Sequence, residues 1–136
     1  MLKRFTIETA DKVEFISITD QIKEIVEEAD VESGLLQVYI PHTTAAVTII
    51  GYENSNIPNS DIIEDIKFEI NKLDDDFGHL ESEASSAHLK SSYFGVDLTF
   101  IVEDNKLLLG ENQDIHLGEF AGPRTREVVV KVMAEK

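Results

Sequence analysis

Short runs of β-branched and other apolar residues, separated by turn-forming residues, are the feature of this 136-residue chain that most limits its possible folds. Leu2–Thr9 and Val13–Ile18 alternate apolar and polar residues on either side of a turn at residues 10–12, a pattern that predicts a β-hairpin. Leu35–Ile40 and Ala45–Ile50 are more uniformly apolar and predict two further strands with a break between them. The chain is therefore expected to be rich in sheet.

Two stretches have the period of an amphipathic helix instead. The first follows Thr19 or Asp20, either of which can cap a helix, and is expected to end at Ser33-Gly34. The second follows Ser60, another candidate cap, and ends at Asp74-Asp75-Asp76. Their apolar stripes comprise Ile22, Ile25, Val26 and Ala29 in the first helix, and Ile62, Ile63, Ile66, Ile70 and Leu73 in the second.

The second half of the chain predicts one short helix and four strands. These are a helix over Glu83–Tyr93 stopped by Gly95, a hairpin of Val96–Val102 and Lys106–Leu109 around Asp104-Asn105, a strand around Asp114–Phe120, and a last strand over Glu127–Val132. The element order ββαββααββββ predicts an α+β fold, with a largely antiparallel or mixed sheet or sandwich and two to three helices at its side. We expect residues 1–136 to form a single domain.

Acidity excludes one class of partner. The chain has 27 Asp and Glu against 12 Lys and Arg, a formal net charge of −15, which argues against a protein that wraps nucleic acid. Residues 1–34 and 61–83, the helix-bearing stretches, carry twelve of these fifteen net charges, as a solvated face would. A small phosphorylated ligand is not excluded, because one or two well-placed arginines suffice to bind it.

The chain has no cysteine, which excludes a disulfide framework, a thiolate zinc site, an iron–sulfur cluster and a cysteine nucleophile. Any metal must bind to His, Asp or Glu. The first residues lack the apolar core of a signal peptide, and no window approaches the roughly 20 apolar residues of a membrane helix. We therefore expect a cytoplasmic protein with no membrane partner.

Three of the four histidines, His42, His79 and His88, lie in or beside breaks in regular structure, whereas His116 lies within a strand pattern. Imidazoles in such positions can bind Zn²⁺ or a similar cation, or one can act as a general base near neutral pH. Their spacing contains no helical i, i+4 zinc pair, so structural or solvent-exposed roles stay open. His116 is interpreted as a residue of the strand face.

Two turns carry further polar side chains. Pro41-His42-Thr43-Thr44 places an imidazole and two hydroxyls after an apolar strand, where the hydroxyls can bind a phosphate or sugar oxygen or simply the turning backbone. Gly122-Pro123-Arg124 presents a guanidinium ahead of a strand, suited to a carboxylate or phosphate ligand. In so acidic a chain, the alternative is a pair between Arg124 and a nearby carboxylate.

In combination, these pieces resemble the YjbQ family, described as secondary thiamine-phosphate synthases. The resemblance rests on Pro-His-Thr-Thr-Ala-Ala-Val-Thr-Ile at 41–49, His79, Ala-His-Leu-Lys at 87–90 with Gly95, Leu-Leu-Leu-Gly at 107–110 with Gln113, and Glu119-Phe120 with Gly122-Pro123-Arg124. It implies an α+β sandwich, a homotrimer with a polar pocket near the subunit interfaces, and a weak ability to join a hydroxymethylpyrimidine diphosphate to a thiazole phosphate.

The resemblance also implies roles for individual residues. His42, His88 and Arg124 become candidates for catalysis; Thr43, Thr44, Ser85, Gln113 and Arg124 for binding a phosphorylated or carboxylated metabolite; and His42, His79 and His88 for binding a divalent metal such as Zn²⁺ or Mg²⁺. Several positions depart from the family pattern, namely Ile50, Gly51, Ala84, Glu111, Asn112 and Ala121. These departures favour, as an alternative to the enzyme, a non-catalytic trimeric protein that binds a metabolite or metal in an altered pocket; a purely structural trimeric partner is the third reading.

Overall fold

The computed structural model describes residues 1–51, 59–74 and 83–136. The elements there are β1 (Leu2–Glu8), β2 (Glu14–Ser17), α1 (Thr19–Ala29), β3 (Ser33–Tyr39), β4 (Ala45–Ile49), α2 (Asn59–Asn71), α3 (Glu83–Ser92), β5 (Asp97–Glu103), β6 (Lys106–Leu107), β7 (Ile115–Glu119) and β8 (Thr125–Ala134). A single 3-10 turn, Lys72–Asp74, follows α2. The predicted order ββαββααββββ is confirmed.

The strands form two antiparallel sheets. The larger has the order β1-β8-β3-β5-β6 and the smaller the order β2-β7-β4. The predicted hairpin of the first two strands is wrong, because β1 pairs with β8 and β2 pairs with β7, in different sheets. Alternation of apolar and polar residues predicts a strand but not its partner. The β5–β6 hairpin is confirmed, and its turn residues Asp104 and Asn105 have φ values of 53° and 62°, as a type I′ turn requires.

One apolar core lies between the two sheets, as a sandwich requires. It joins buried residues of the larger sheet, such as Leu36 and Val130, to Val47 and Leu117 of the smaller one. The α1 stripe adds Ile22, Ile25 and Val26 to the same cluster. Full burial of each such side chain stabilises the fold by about 1.5–3 kcal/mol. The predicted α+β sandwich is therefore confirmed.

A second core attaches the other helices to the smaller sheet. Phe15, Phe94 and Phe120 pack ring to ring with centroids 5.4–5.8 Å apart, and Ala87 of α3 packs in the same cluster. The α2 residues Ile62, Ile63, Ile66 and Ile70 pack against it, as their spacing predicts. None of the helices in the described part of the chain is long and apolar enough to span a membrane.

The predicted helix ends need correction. Thr19 does not cap α1: it is the first helical residue, and its hydroxyl donates to the Asp114 carboxylate while accepting the Ile115 N–H at 2.8 Å. The helix ends at Ala29, before the predicted Ser33-Gly34, with Asp30 in the left-handed conformation. Ser60 lies inside α2, which begins at residue 59. The Thr19 hydroxyl therefore connects the start of α1 to Asp114 and Ile115 instead of capping the helix.

Two chain breaks meet at one end of the sandwich. The break between β3 and β4 is joined to the connection between β7 and β8, because Ala45 pairs with Glu119 and the Phe120 N–H donates to the Thr44 carbonyl at 3.1 Å. The neighbouring strand β8 begins at Thr125, directly after this connection. Side chains from residues 40–44 and 119–127 are thereby placed together.

Candidate functional site

A depression of about 520 Å³ opens where these two breaks meet. It brings together four residues predicted for the site, His42, Thr43, Thr44 and Arg124, with a fifth that was not predicted, Arg126. The remainder of the lining is Tyr39, Ile40, Pro41 and Val96. Its charged lining residues, Arg124 and Arg126, are both cationic, although the chain carries a net charge of −15.

His42 is half-buried and held by a backbone bond. Its Nε2 accepts the Glu127 N–H at 3.0 Å, so the neutral ring carries its proton on Nδ1. Burial and, after it, the Arg126 charge lower the pKa of His42 below its usual value, and they outweigh the Glu127 bond and the Glu119 and Glu127 charges, which raise it. At neutral pH the ring is therefore an uncharged donor.

Arg126 and Glu119 form a buried ion pair beneath the depression, with exposed fractions of 3% and 0%. The guanidinium Nε donates to the two carboxylate oxygens at 2.9 and 3.0 Å. Nη2 also donates to Glu119, and it donates to the Thr44 carbonyl at 3.1 Å and to the Thr44 hydroxyl at 2.8 Å. Nη1 has no acceptor among the residues that the structure describes.

Glu119 is ionised, and both oxygens of its carboxylate accept hydrogen bonds. Its carboxylate also accepts the Thr9 hydroxyl at 2.8 Å and the N–H groups of Phe120 at 3.0 Å and Ala121 at 3.2 Å. Burial raises the pKa of Glu119, but the bonds from Arg126, Thr9 and Ala121 and the Arg126 charge together lower it below its usual value. The carboxylate thus fixes the guanidinium plane of Arg126 through charge-assisted bonds.

Arg124 lies at the rim with its guanidinium exposed to solvent. Its backbone is held by Thr9, whose hydroxyl accepts the Arg124 N–H at 2.8 Å and whose own N–H donates to the Arg124 carbonyl at 2.9 Å. The side chain makes one bond, from Nε to the Ala121 carbonyl at 3.0 Å. The predicted alternative, a pair with a carboxylate, is not found within the described ranges.

The other predicted site residues lie elsewhere. Gln113 lies two residues before Ile115, the end of β7 that is about 13 Å of strand from Glu119. Its Oε1 accepts the Gly110 N–H at 2.8 Å. His88 is exposed on α3 and does not line the depression. Ser85 lies in α3, but its side chain, like all of His79, is outside the described residues. His116 is a buried residue of β7, in agreement with its interpretation as part of the strand.

The described residues do not fit a metal site. Within residues 1–51, 59–74 and 83–136, no three His, Asp or Glu side chains are grouped closely enough to hold an ion. The Nε2 lone pair of His42 is already used by Glu127, and Nδ1 carries the proton, so the ring has no free lone pair to offer. The metal site of His42, His79 and His88 stays a prediction.

Arg126, Glu119 and Thr9 were missed by the sequence reasoning, although a signal exists for two of them. Arg126 is in phase with Val128, Val130 and Val132, the inward-facing residues of β8. Likewise, Glu119 ends a strand, β7, that is buried throughout. A charged residue in phase with buried apolar ones requires a buried partner of opposite charge.

The fold and the depression define a class of protein: an antiparallel two-sheet sandwich with helices at its side and an arginine-lined cavity at one end. Residues 3–135 match the family model described as UPF0047 protein YjbQ-like. The chain therefore belongs to the YjbQ/UPF0047 family.

Individual relatives agree with this membership. A UPF0047 protein of Methanocaldococcus jannaschii is 40% identical over 136 residues, covering 100% of this chain and 96% of its own. The UPF0047 protein YugU of Bacillus subtilis is 36% identical, covering 98% and 99%. The crystal structure of an uncharacterised conserved YjbQ/UPF0047 protein from Clostridium acetobutylicum has a TM-score of 0.84 at 34% identity, over 96% of this chain and 99% of that one.

Proposed function

We propose that the depression around His42 binds a small metabolite through a phosphate or carboxylate group. The observation that carries this proposal is the lining: two arginines and an imidazole N–H donor converge on one cavity of a strongly acidic protein. Arginine is the residue best suited to bind such planar or tetrahedral oxyanions.

The specific reaction proposed is that of a thiamine-phosphate synthase. In that reaction a diphosphate leaves, and the two guanidinium groups would stabilise the developing negative charge. His42 would serve as a hydrogen-bond donor to the leaving group rather than as a base, because its acceptor nitrogen is bonded to Glu127. Non-catalytic binding is the second candidate, favoured by Gly51 and Ala121, which stand where the family pattern has carboxylates.

A homotrimer is part of the same proposal. Tyr39 and Val96 line the depression and are also among the exposed apolar residues of this end of the molecule. A neighbouring copy packed against Tyr39 and Val96 would border the cavity while leaving Arg124 exposed.

Replacing Arg124 with Ala tests the anion site. We expect the affinity for inorganic pyrophosphate, measured by isothermal titration calorimetry, to fall about 10- to 100-fold, because hydrogen bonds to charged groups are worth about 1.5–3 kcal/mol. Lys106→Ala is the matched control: it removes the same charge from exposed β6 and should leave the affinity unchanged.

The same proteins separate the two candidate functions. Formation of thiamine phosphate by the wild type, lost in Arg124→Ala, supports the transferase; pyrophosphate binding without turnover supports the binding protein. A wild type that binds no pyrophosphate, or an Arg124→Ala protein with undiminished affinity, would contradict the anion site itself.

A further inference from the structure

Arg126 has more hydrogen-bonding capacity than its ion pair needs. Glu119 occupies the Nε and Nη2 edge of the guanidinium, and Thr44 takes the remaining capacity of Nη2. Nη1 has no acceptor in the described part of the chain, although the side chain is only 4% exposed and lines the depression. A buried donor left without a partner costs about 1–3 kcal/mol, so its presence at a cavity wall needs an explanation.

His42 presents a second donor in the same cavity. Because Nε2 accepts the Glu127 N–H, the proton lies on Nδ1, for which the described residues again provide no acceptor. The ring is fixed by a backbone group of β8, the strand that also carries Arg126. Both side chains are therefore held by their other hydrogen bonds.

We propose that Nη1 of Arg126 and Nδ1–H of His42 form an inner oxyanion subsite, which holds the terminal phosphate or carboxylate of the ligand while Arg124 contacts it at the rim. This proposal rests on the proposed function and assigns different roles to the inner subsite and to Arg124. Glu119 neutralises Arg126, so the inner subsite recognises its ligand by hydrogen-bond geometry. Arg124 is solvent-exposed and has no carboxylate partner in the described chain, so it contributes the net charge.

These different roles predict how salt changes the affinity for pyrophosphate. Attraction to the exposed Arg124 is screened as ionic strength rises, whereas bonds to buried donors are screened much less. In the wild type, raising the salt concentration from 0.05 to 0.5 M should therefore weaken pyrophosphate binding only partly. In Arg124→Ala the remaining affinity should be nearly independent of salt.

Arg126→Lys distinguishes a binding role from a purely structural one. Lysine keeps a positive charge beside Glu119 but cannot satisfy the carboxylate and also present the free Nη1 donor. We expect pyrophosphate affinity, measured by calorimetry, to fall at least 10-fold. Arg4→Lys, the same substitution at an exposed position of β1, should leave it unchanged. A folded Arg126→Lys protein with wild-type affinity overturns the subsite.

Nitrogen-15 NMR of the wild type tests the proposal even if Arg126→Lys fails to fold. Pyrophosphate should shift the Arg126 Nη1 and His42 Nδ1 resonances with one saturable curve, while His42 Nε2 keeps the shift of an unprotonated acceptor. If saturating pyrophosphate moves Arg124 but neither inner donor, the subsite is wrong and the proposed anion site survives. If no resonance of the three residues moves, both are wrong.

Discussion

The protonation state of His42 follows from its neighbours. One nitrogen accepts the Glu127 N–H, and the Arg126 guanidinium lies near enough to oppose a second positive charge. Protonation at Nε2 would also replace the bond to Glu127 with a contact between two donors. The native protein therefore favours the neutral ring more strongly than the unfolded chain does.

This preference predicts a pH dependence of stability. The pKa of His42 is lowered on folding, so its contribution to the free energy of unfolding is complete above pH 6.5 and is lost as the pH falls below that value. One pKa unit is worth about 1.4 kcal/mol. Because the ring is partly exposed, we expect the free energy of unfolding to fall by only a fraction of that value. Between pH 7.5 and about 5.5, the free energy of unfolding measured with urea should depend less on pH in His42→Gln than in the wild type.

The exposed His88 provides the control for this measurement. His88→Gln removes a histidine from the solvent face of α3 and should keep the wild-type pH dependence. The lowest pH of the measurement stays above the range in which Glu119 takes up a proton, because the pKa of that carboxylate is lowered. Identical slopes for the wild type and His42→Gln would contradict the assigned protonation state.

Site residues beside breaks in the strand pattern could be predicted, whereas the pairing of Arg126 with Glu119 could not. His42, Thr43, Thr44 and Arg124 flank breaks in the pattern, and the structure places all four around one depression. Arg126 lies two residues before a run of valines, and its buried charge is explained only by Glu119, seven residues earlier on another strand. Such a pair depends on how the two sheets face each other, which one sequence does not reveal.

At the scale of elements, a buried lysine joins α3 to the end of α2. Lys90 is 1% exposed, and its ammonium group lies 3.0 Å from Asp74 Oδ1 and donates to Asn71 Oδ1 at 3.1 Å. The Ser86 hydroxyl donates to the same Asp74 carboxylate. Burial raises the pKa of Asp74, but the bonds from Ser86 and Lys90 and the charge of Lys90 outweigh burial, so the pKa lies below its usual value. These bonds connect two helices whose apolar contacts are otherwise to the smaller sheet.

Removing this connection should destabilise the fold. We expect Lys90→Ala to lower the free energy of unfolding by about 1.5–3 kcal/mol, since it removes bonds between charged groups and leaves space in a packed region. Lys72→Ala is the control, because Lys72 makes an exposed i, i+3 pair with Glu69 that is worth less than about 0.5 kcal/mol. Equal effects of the two substitutions in urea unfolding would show that the Lys90 contacts do not stabilise the protein.

Features that lie within one helix or strand could be predicted from the sequence. The element order and the apolar stripes of α1 and α2 were predictable, because each follows from a period within one segment. The partnership of β1 with β8 was not, since the two strands are separated by nearly the whole chain. The start of α1 was also missed, because Thr19 bonds to Asp114 and Ile115 rather than to its own helix.

At the scale of the whole molecule, the larger sheet carries a row of exposed apolar side chains on its outer face. Leu35 pairs with Ile101 on one side and Met133 on the other, which forms an apolar row across three strands of the larger sheet. These side chains are 44%, 52% and 51% exposed. The next row, Gln37, Thr99 and Lys131, is neutral or basic. Contiguous apolar exposure of this kind commonly marks an interaction site.

The proposed homotrimer should use this surface together with the Tyr39 and Val96 end of the molecule, because each contact in a cyclic trimer joins two different patches of neighbouring copies. Each copy carries a net charge of −15, so association requires contact between surfaces that lack the excess acid. The row of Leu35, Ile101 and Met133 meets that requirement. We therefore expect Leu35→Glu to shift the sedimentation coefficient at micromolar concentration from that of an oligomer to that of a monomer. Phe68→Glu, which changes a more exposed apolar residue on α2, should leave it unchanged. A wild type that sediments as a monomer would contradict the trimer, and an oligomer that survives Leu35→Glu would place its interface on another surface.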